Sequence, residues 1–321
     1  MKRRTFATLA LTLAALPMAA SAQTFPSKPV KFIVPYAAGG LPDSVARIVA
    51  QKLTERLGQS VVVDNKPGGN GVVAYQNLML GTNDNHTFIV SDGSMLSITP
   101  LINKSATYAM GKELMPVSLI ARSPLFLVAH PKTGVKNLRE FVEKVRANPG
   151  TYTYGSSGIG STHHLSMEAL KAELKLDVRH IPFRGSGQSV PALLGGQVDF
   201  LFSALPSMSG FVKNNQVTLL GSNDSKRSPQ VPDVPAIAEL VSGYDFSVTI
   251  GVMARSGTAP EAIKRIADDI AWVVRQPDVM EKLNAASIEP VGAGPEAYRK
   301  EIDRENQAMA KAGKSADLKA E

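Results

Sequence analysis

The chain has 321 residues, 44% of them apolar and 20% charged, with a formal net charge of +7 and no cysteine. That is enough apolar material for two cores of ordinary size. The lack of cysteine excludes disulfides, thiolate zinc sites, iron–sulfur clusters and thiol nucleophiles. Lysines and arginines are scattered rather than grouped into a long basic block, which argues against nucleic acid as a partner.

In chain order, Lys2, Arg3 and Arg4 precede a short apolar run from Phe6 to Ala20, and Ala20-Ser21-Ala22 is a small-x-small cleavage site. This is the pattern of a secretory signal peptide over residues 1–22, so the mature chain is expected in the periplasm with a charge of about +4 once the three leader charges are removed. Beyond it, no segment approaches eighteen uninterrupted apolar residues. Residues 30–34 read as a buried strand. Gly39 and Gly40 form a turn, and residues 42–57 read as a helix with Val45, Ile48, Val49, Leu53 and Leu57 on one face. Strands are expected at 60–63 and 87–90, with a glycine loop at 67–71 and a helix at 72–80 between them. The second half repeats the alternation. Strands are expected at 125–129, 152–154, 178–181, 198–202 and 247–254, with helices at 137–147, 162–174, 190–194, 260–274, 277–286 and 295–311. The last three each begin at or beside a proline, which the first helical turn tolerates. Such repetition predicts α/β lobes, each a mostly parallel sheet flanked by helices. Short connections near 121–124 and 243–247 are candidate crossings, making the first lobe discontinuous: 23–122 plus 247–321, with 123–246 as the second.

Chemistry is expected where strands end. Three strands run into loops of glycine and hydroxyl residues, each followed by a helix: 35–43, 155–162 and 182–187. A helix N-terminus offers unpaired N–H groups, and glycine lets a ligand approach the backbone, so such loops suit carboxylates. In open α/β sheets ligands sit at the carboxyl ends of strands. Arg184 is a candidate partner for a carboxylate, or else a surface or interlobe ion pair. Asp43, at a helix start, is a candidate carboxylate but reads more naturally as a cap. Tyr36 and Phe183 are candidate apolar walls. Aromatics make up only 6% of the chain, with the single tryptophan at Trp272, which disfavours a sugar ligand. Enzyme signatures are missing. There is no Gly-x-Ser-x-Gly elbow and no Walker A sequence. Gly158-Ile159-Gly160 lacks the third glycine of a dinucleotide fingerprint, and none of the five histidines has zinc spacing. His163 is a candidate for lining the site and His164 for a structural role.

Pro35-Tyr36-Ala37-Ala38-Gly39-Gly40 with Asp43 and Ala46-Arg47 resembles the opening motif of the Bug-type extracytoplasmic solute receptors of tripartite tricarboxylate transporters. The likeness continues through residues 61–68, 116–121, 156–165, 182–186, 194–199, 226–229 and 232–235, spanning nearly the whole mature chain. The resemblance implies a two-lobed periplasmic-binding-protein fold of Venus-flytrap, type II-like form. It implies a small organic carboxylate held between the lobes and delivered to a two-subunit membrane permease. It also implies no catalysis, cofactor or metal, and a monomer. By position it places Tyr36, Gly39, Gly40 and Asp43 in the first-lobe loop, and Ser157, Gly160, Ser161, Thr162, His163, Arg184 and Gly185 in the second lobe. Ser203 stands where the family commonly has an aspartate bordering the cleft. Two other classes remain open: a secreted α/β hydrolase or lyase using Ser157 or Ser161 beside His163, and a sensor subunit for a membrane kinase.

Overall fold

A computed structural model of the chain describes residues 25–97, 99 and 112–315. The expected leader at 1–22 lies outside them. The first lobe begins with β1 (Val30–Val34), α1 (Leu41–Leu57), β2 (Val61–Asn65), α2 (Val72–Leu80), β3 (Thr87–Asp92), the short α3 (Ser94–Ser97) and β4 (Leu114–Ser123). The middle of the chain contains β5 (Phe126–Ala129), α4 (Leu138–Ala147), β6 (Thr153–Ser156), α5 (Thr162–Leu174), β7 (Arg179–Pro182), α6 (Ser186–Leu194), β8 (Phe200–Ser203), α7 (Ser209–Lys213) and β9 (Thr218–Ser222). The chain closes with β10 (Val248–Arg255), α8 (Pro260–Val273), α9 (Pro277–Ala285), β11 (Glu289–Ala293) and α10 (Pro295–Ser315). Local chemistry explains the boundaries. In α1, Leu41, Val45, Val49 and Leu53 recur at helical spacing on the buried face. Gly58 then stops the helix in the left-handed conformation, its N–H bonded to Thr54 O.

The strands form two sheets, ordered β11-β4-β10-β3-β1-β2 and β7-β6-β8-β5-β9. Both sheets are mixed, with four of six strands in the first and four of five in the second running in one sense. The strand–helix–strand units pair in parallel, β1 with β2 and β3, and β6 with β7 and β8. The strands nearest the crossings run the other way. β10 is antiparallel to both β3 and β4, and β5 is antiparallel to both β8 and β9. A strand arriving from the other lobe has no local helical crossover and is free to insert in the opposite sense. The sequence pattern does not single out β4, β9 or β11. β11 carries Pro290 and Gly292 at a sheet edge. α6 begins at Ser186, four residues before the expected start, because the glycine loop ends at Gly185.

The two sheets are joined by two passages. Pro124 and Leu125 lie between β4 and β5, and residues 223–247 lie between β9 and β10. Asn223 fastens one passage to the other. Its Oδ1 accepts Leu125 N–H at 2.7 Å, its own N–H reaches Leu125 O at 2.8 Å, and its Nδ2 donates to Phe246 O at 2.6 Å. Phe246 N–H returns a bond of 2.8 Å to Asn223 O. The C-terminal helix α10 packs on β4 and also against α5 of the other sheet. No helix among the described residues is long and apolar enough to cross a membrane.

Candidate functional site

A cleft of about 500 Å3 opens between the carboxyl ends of the two sheets. Its first wall is Pro35 and Tyr36 after β1, Gly68 to Asn70 after β2, and Thr99. The facing wall is Ser157 to Ile159 after β6, Pro182 to Arg184 after β7, and Gln188 in the first turn of α6. Arg184 is the one charged side chain among these described lining residues. The rest are hydroxyls, amides, backbone and apolar surface. This composition suits an anionic ligand with a carbon skeleton.

Tyr36 is fixed from behind. Its hydroxyl donates to Asp92 Oδ1 at 2.9 Å, with Ser94 Oγ at 3.3 Å and Asn70 Oδ1 at 3.2 Å. Burial raises the Tyr36 pKa well above its ordinary value, and the neighbouring Asp92 charge adds to this, so the phenol stays protonated as a donor. Burial also pushes Asp92 up, against hydrogen bonds from Ser94 and Tyr36. Asn70 Nδ2 in turn donates to Thr99 Oγ1 at 2.8 Å, tying the second loop to the first wall.

Of the twelve candidate residues, Tyr36, Ser157 and Arg184 line the cleft. Asp43 does not. Its carboxylate accepts Gly39 N–H at 2.9 Å, Arg47 Nε at 3.0 Å and Asn65 Nδ2 at 2.9 Å, so it is a buried latch that shapes the loop. Gly40 is the N-cap of α1, and Gly39 O accepts Ser207 Oγ from the other lobe at 2.8 Å. Gly160 spends its N–H on His164 Nδ1 at 3.1 Å. Ser161 caps α5, donating to Gly158 O at 2.7 Å and accepting His164 N–H at 3.3 Å. Thr162 is buried in the first turn of α5. Ser203 is buried at the end of β8, and its hydroxyl has no partner among the described residues. Gly185 sits where the lobes touch. A Cβ there would stand 3.3 Å from Ala37 N, and its φ of +110° excludes most side chains in any case.

His163 is buried behind the wall. Its Nε2 lies 3.4 Å from Ser186 Oγ, which is 3.3 Å from Ser157 Oγ. Burial pushes its pKa down to about 4. It therefore reaches the cleft only through Ser186, and neither Ser157 nor Ser161 has an imidazole as direct base, which a hydrolytic nucleophile needs. Sequence reasoning missed Asn70, Thr99, Ile159 and Gln188. The Gly68-Gly69-Asn70-Gly71 turn carries the same strand–glycine–helix signal as the three loops that were singled out.

Residues 45–314 match the family described as the tripartite tricarboxylate transporter family receptor. The protein BugT of Bordetella pertussis is 33% identical over 294 residues, with 90% of each chain covered. Among solved structures, an R. palustris protein with adipate is 28% identical, with 92% of this chain and 100% of that one covered at a TM-score of 0.88. MatC of Rhodopseudomonas palustris with bound malate is 27% identical, covering 90% and 99% at a TM-score of 0.83. With a two-lobed α/β architecture, a walled interlobe cleft and this span of likeness, the chain belongs to the tripartite tricarboxylate transporter receptor family, a family of periplasmic solute-binding proteins rather than enzymes.

Proposed function

We propose that this chain captures a small organic carboxylate in the periplasm, closes its lobes around it, and presents the closed form to a two-subunit membrane permease. The observation that carries the reading is the cleft itself, with glycine- and hydroxyl-rich strand-end loops from both sheets and Arg184 on the second wall. The diacids held by the adipate- and malate-bound relatives support the ligand class. In this reading the lobes are residues 23–122 with 247–321, and residues 123–246. The Asn223-fastened passages are the hinge, and the leader at 1–22 directs export. The protein acts as a monomer. A ligand shifts an open–closed equilibrium only by its differential affinity for the closed state, so contacts to both walls are required.

Calorimetric titration of ligand-stripped protein, residues 23–321, with adipate, malate and their diamides tests this. The expected outcome is saturable binding of at least one diacid and none of its diamide. Equal binding of acid and amide, or no heat with any acid, overturns the carboxylate reading.

A further inference from the structure

The loop between β6 and α5 presents Ser157, Gly158 and Ile159 to the cleft. It carries two glycines in the positive-φ region, Gly158 at +128° and Gly160 at +75°. Its own bonds, from Ser161 N–H and Oγ to Gly158 O, close the turn at one end, while ordering such a glycine-containing loop still costs conformational entropy. Directly behind it lies a stack of three rings: Tyr154 on β6, His180 on β7 and His164 on α5. The His180 ring lies 4.8 Å from Tyr154 and 4.0 Å from His164, with interplanar angles of 21° and 14°.

Both imidazoles are bonded to the loop. His164 Nδ1 accepts Gly160 N–H at 3.1 Å. His180 Nε2 lies 2.6 Å from Ser156 Oγ, and that hydroxyl accepts Gly158 N–H at 3.1 Å. The Ser156 hydroxyl also lies 3.2 Å from Gly158 O, so it joins the His180 ring to both backbone groups of Gly158. Other polar groups facing the stack are Glu168 and Lys171 of α5. Glu168 Oε1 accepts the Tyr154 hydroxyl at 2.5 Å, and Lys171 Nζ is 5.5 Å above the Tyr154 ring. Burial holds His164 down to about 4 and His180 down to about 3, so at neutral pH both rings are uncharged, and His164 has the Nδ1 lone pair free for Gly160 N–H.

We propose that His164 and His180 are positioning residues for the ligand, an imidazole pair that pins the two ends of the 156–160 loop through one ring nitrogen each and so presets the second wall of the cleft. The consequence for affinity rests on the receptor reading; the consequence for the loop does not.

The two rings use different nitrogens, and the test follows from that. Asparagine places an amide oxygen near the Nδ1 position, and glutamine places one near Nε2. His164→Asn is therefore expected to keep the loop and His164→Gln to lose it, whereas His180→Gln keeps it and His180→Asn loses it. One readout is hydrogen exchange of the loop amides 157–161 in the ligand-free chain, with β5 amides 127–129 as the control for an intact sheet. The other is the dissociation constant for adipate. The failing member of each pair is expected to exchange its loop amides about tenfold faster and to bind about tenfold more weakly than its counterpart, the scale of one lost hydrogen bond. A loss of packing alone moves both members of a pair together. The same order at the two positions, or no difference within either pair, overturns the proposal. If wild-type protein fails to bind adipate or any other diacid, the carboxylate reading falls while the exchange comparison still decides whether the loop is pinned.

Discussion

Two carboxyl groups show how strongly a residue's setting governs its role. Asp43 is buried, which pushes its pKa up, but hydrogen bonds from Arg47, Gly39 and Asn65 outweigh this and hold the carboxyl below its ordinary value. A depressed acid contributes stability that is present above its ordinary pKa and is lost as the pH falls through the folded value, in the acid range below about 3.8. Asp43→Ala, which removes the acceptor of the Gly39 N–H and leaves Asn65 Nδ2 with Tyr36 O alone, is expected to cost about 1–3 kcal/mol in urea unfolding at neutral pH. Glu305 on α10 has the opposite sign. It is almost fully buried, its Oε1 accepts Thr249 N–H at 3.0 Å, and its Oε2 has no partner among the described residues. Burial pushes it up to about 8, with the nearby Asp92 adding to the shift. The unfolded chain ionises this group near 4.5 while the folded chain keeps it protonated, so stability falls as the pH rises from about 4.5 to about 8. Glu305→Gln, isosteric with the protonated acid, is expected to flatten that slope and to gain on the order of a few kcal/mol at pH 8. An unchanged slope in chemical unfolding at a series of pH values would contradict this. A structural role for Asp43 was legible in the sequence because a helix start follows two glycines, although Gly40 is the N-cap and Asp43 acts from the first turn of α1. Glu305 was not, because a glutamate in an otherwise polar helix gives no sign that its face lies against a sheet.

At the scale of elements, helices with a clean apolar stripe were legible: α4 at Leu138–Ala147 and α8 at Pro260–Val273 fall within a residue of where the pattern puts them. β4, β9 and β11 were not, since long-range pairing rather than local pattern makes them strands. β4 is held between β10 and β11, whose residues lie more than a hundred positions away. The mixed sheet sense was hidden for the same reason. The joint between the lobes includes, beside its backbone bonds, a side chain that no motif marks. Asn223→Ala leaves Leu125 N–H and Phe246 O short of partners in a fully buried site. It is expected to lower stability by about 2–4 kcal/mol, read from the urea midpoint at constant m-value. A loss under about 0.5 kcal/mol would show that the passages are held by backbone bonds and packing without the Asn223 side chain.

For the molecule as a whole, the walls of the cleft were partly legible. Glycine loops at strand ends pointed to the β1, β6 and β7 loops, and Asn70 lies in a β2 loop with the same signal, while Thr99 becomes a wall residue only because tertiary packing brings it to Asn70. Closure itself depends on how near the lobes come. A Cβ on Gly187 would stand 3.0 Å from Ala38 O and 3.3 Å from the Ala37 side chain, both across the interlobe contact. Unlike Gly185, Gly187 lies in a helix without positive φ, so Gly187→Ala strains the closed contact rather than the backbone. It is expected to leave the unfolding temperature of the ligand-free protein unchanged and to weaken diacid binding about tenfold, equivalent to about 1.4 kcal/mol of strain in the closed state. The most direct measurement is small-angle X-ray scattering of ligand-stripped protein, wild type and Gly187→Ala, with and without saturating diacid. The account predicts that the diacid lowers the radius of gyration of the wild type, that the diamide leaves it unchanged, and that Gly187→Ala compacts less. A diacid that binds tightly while the radius of gyration stays constant in both proteins would contradict capture by lobe closure.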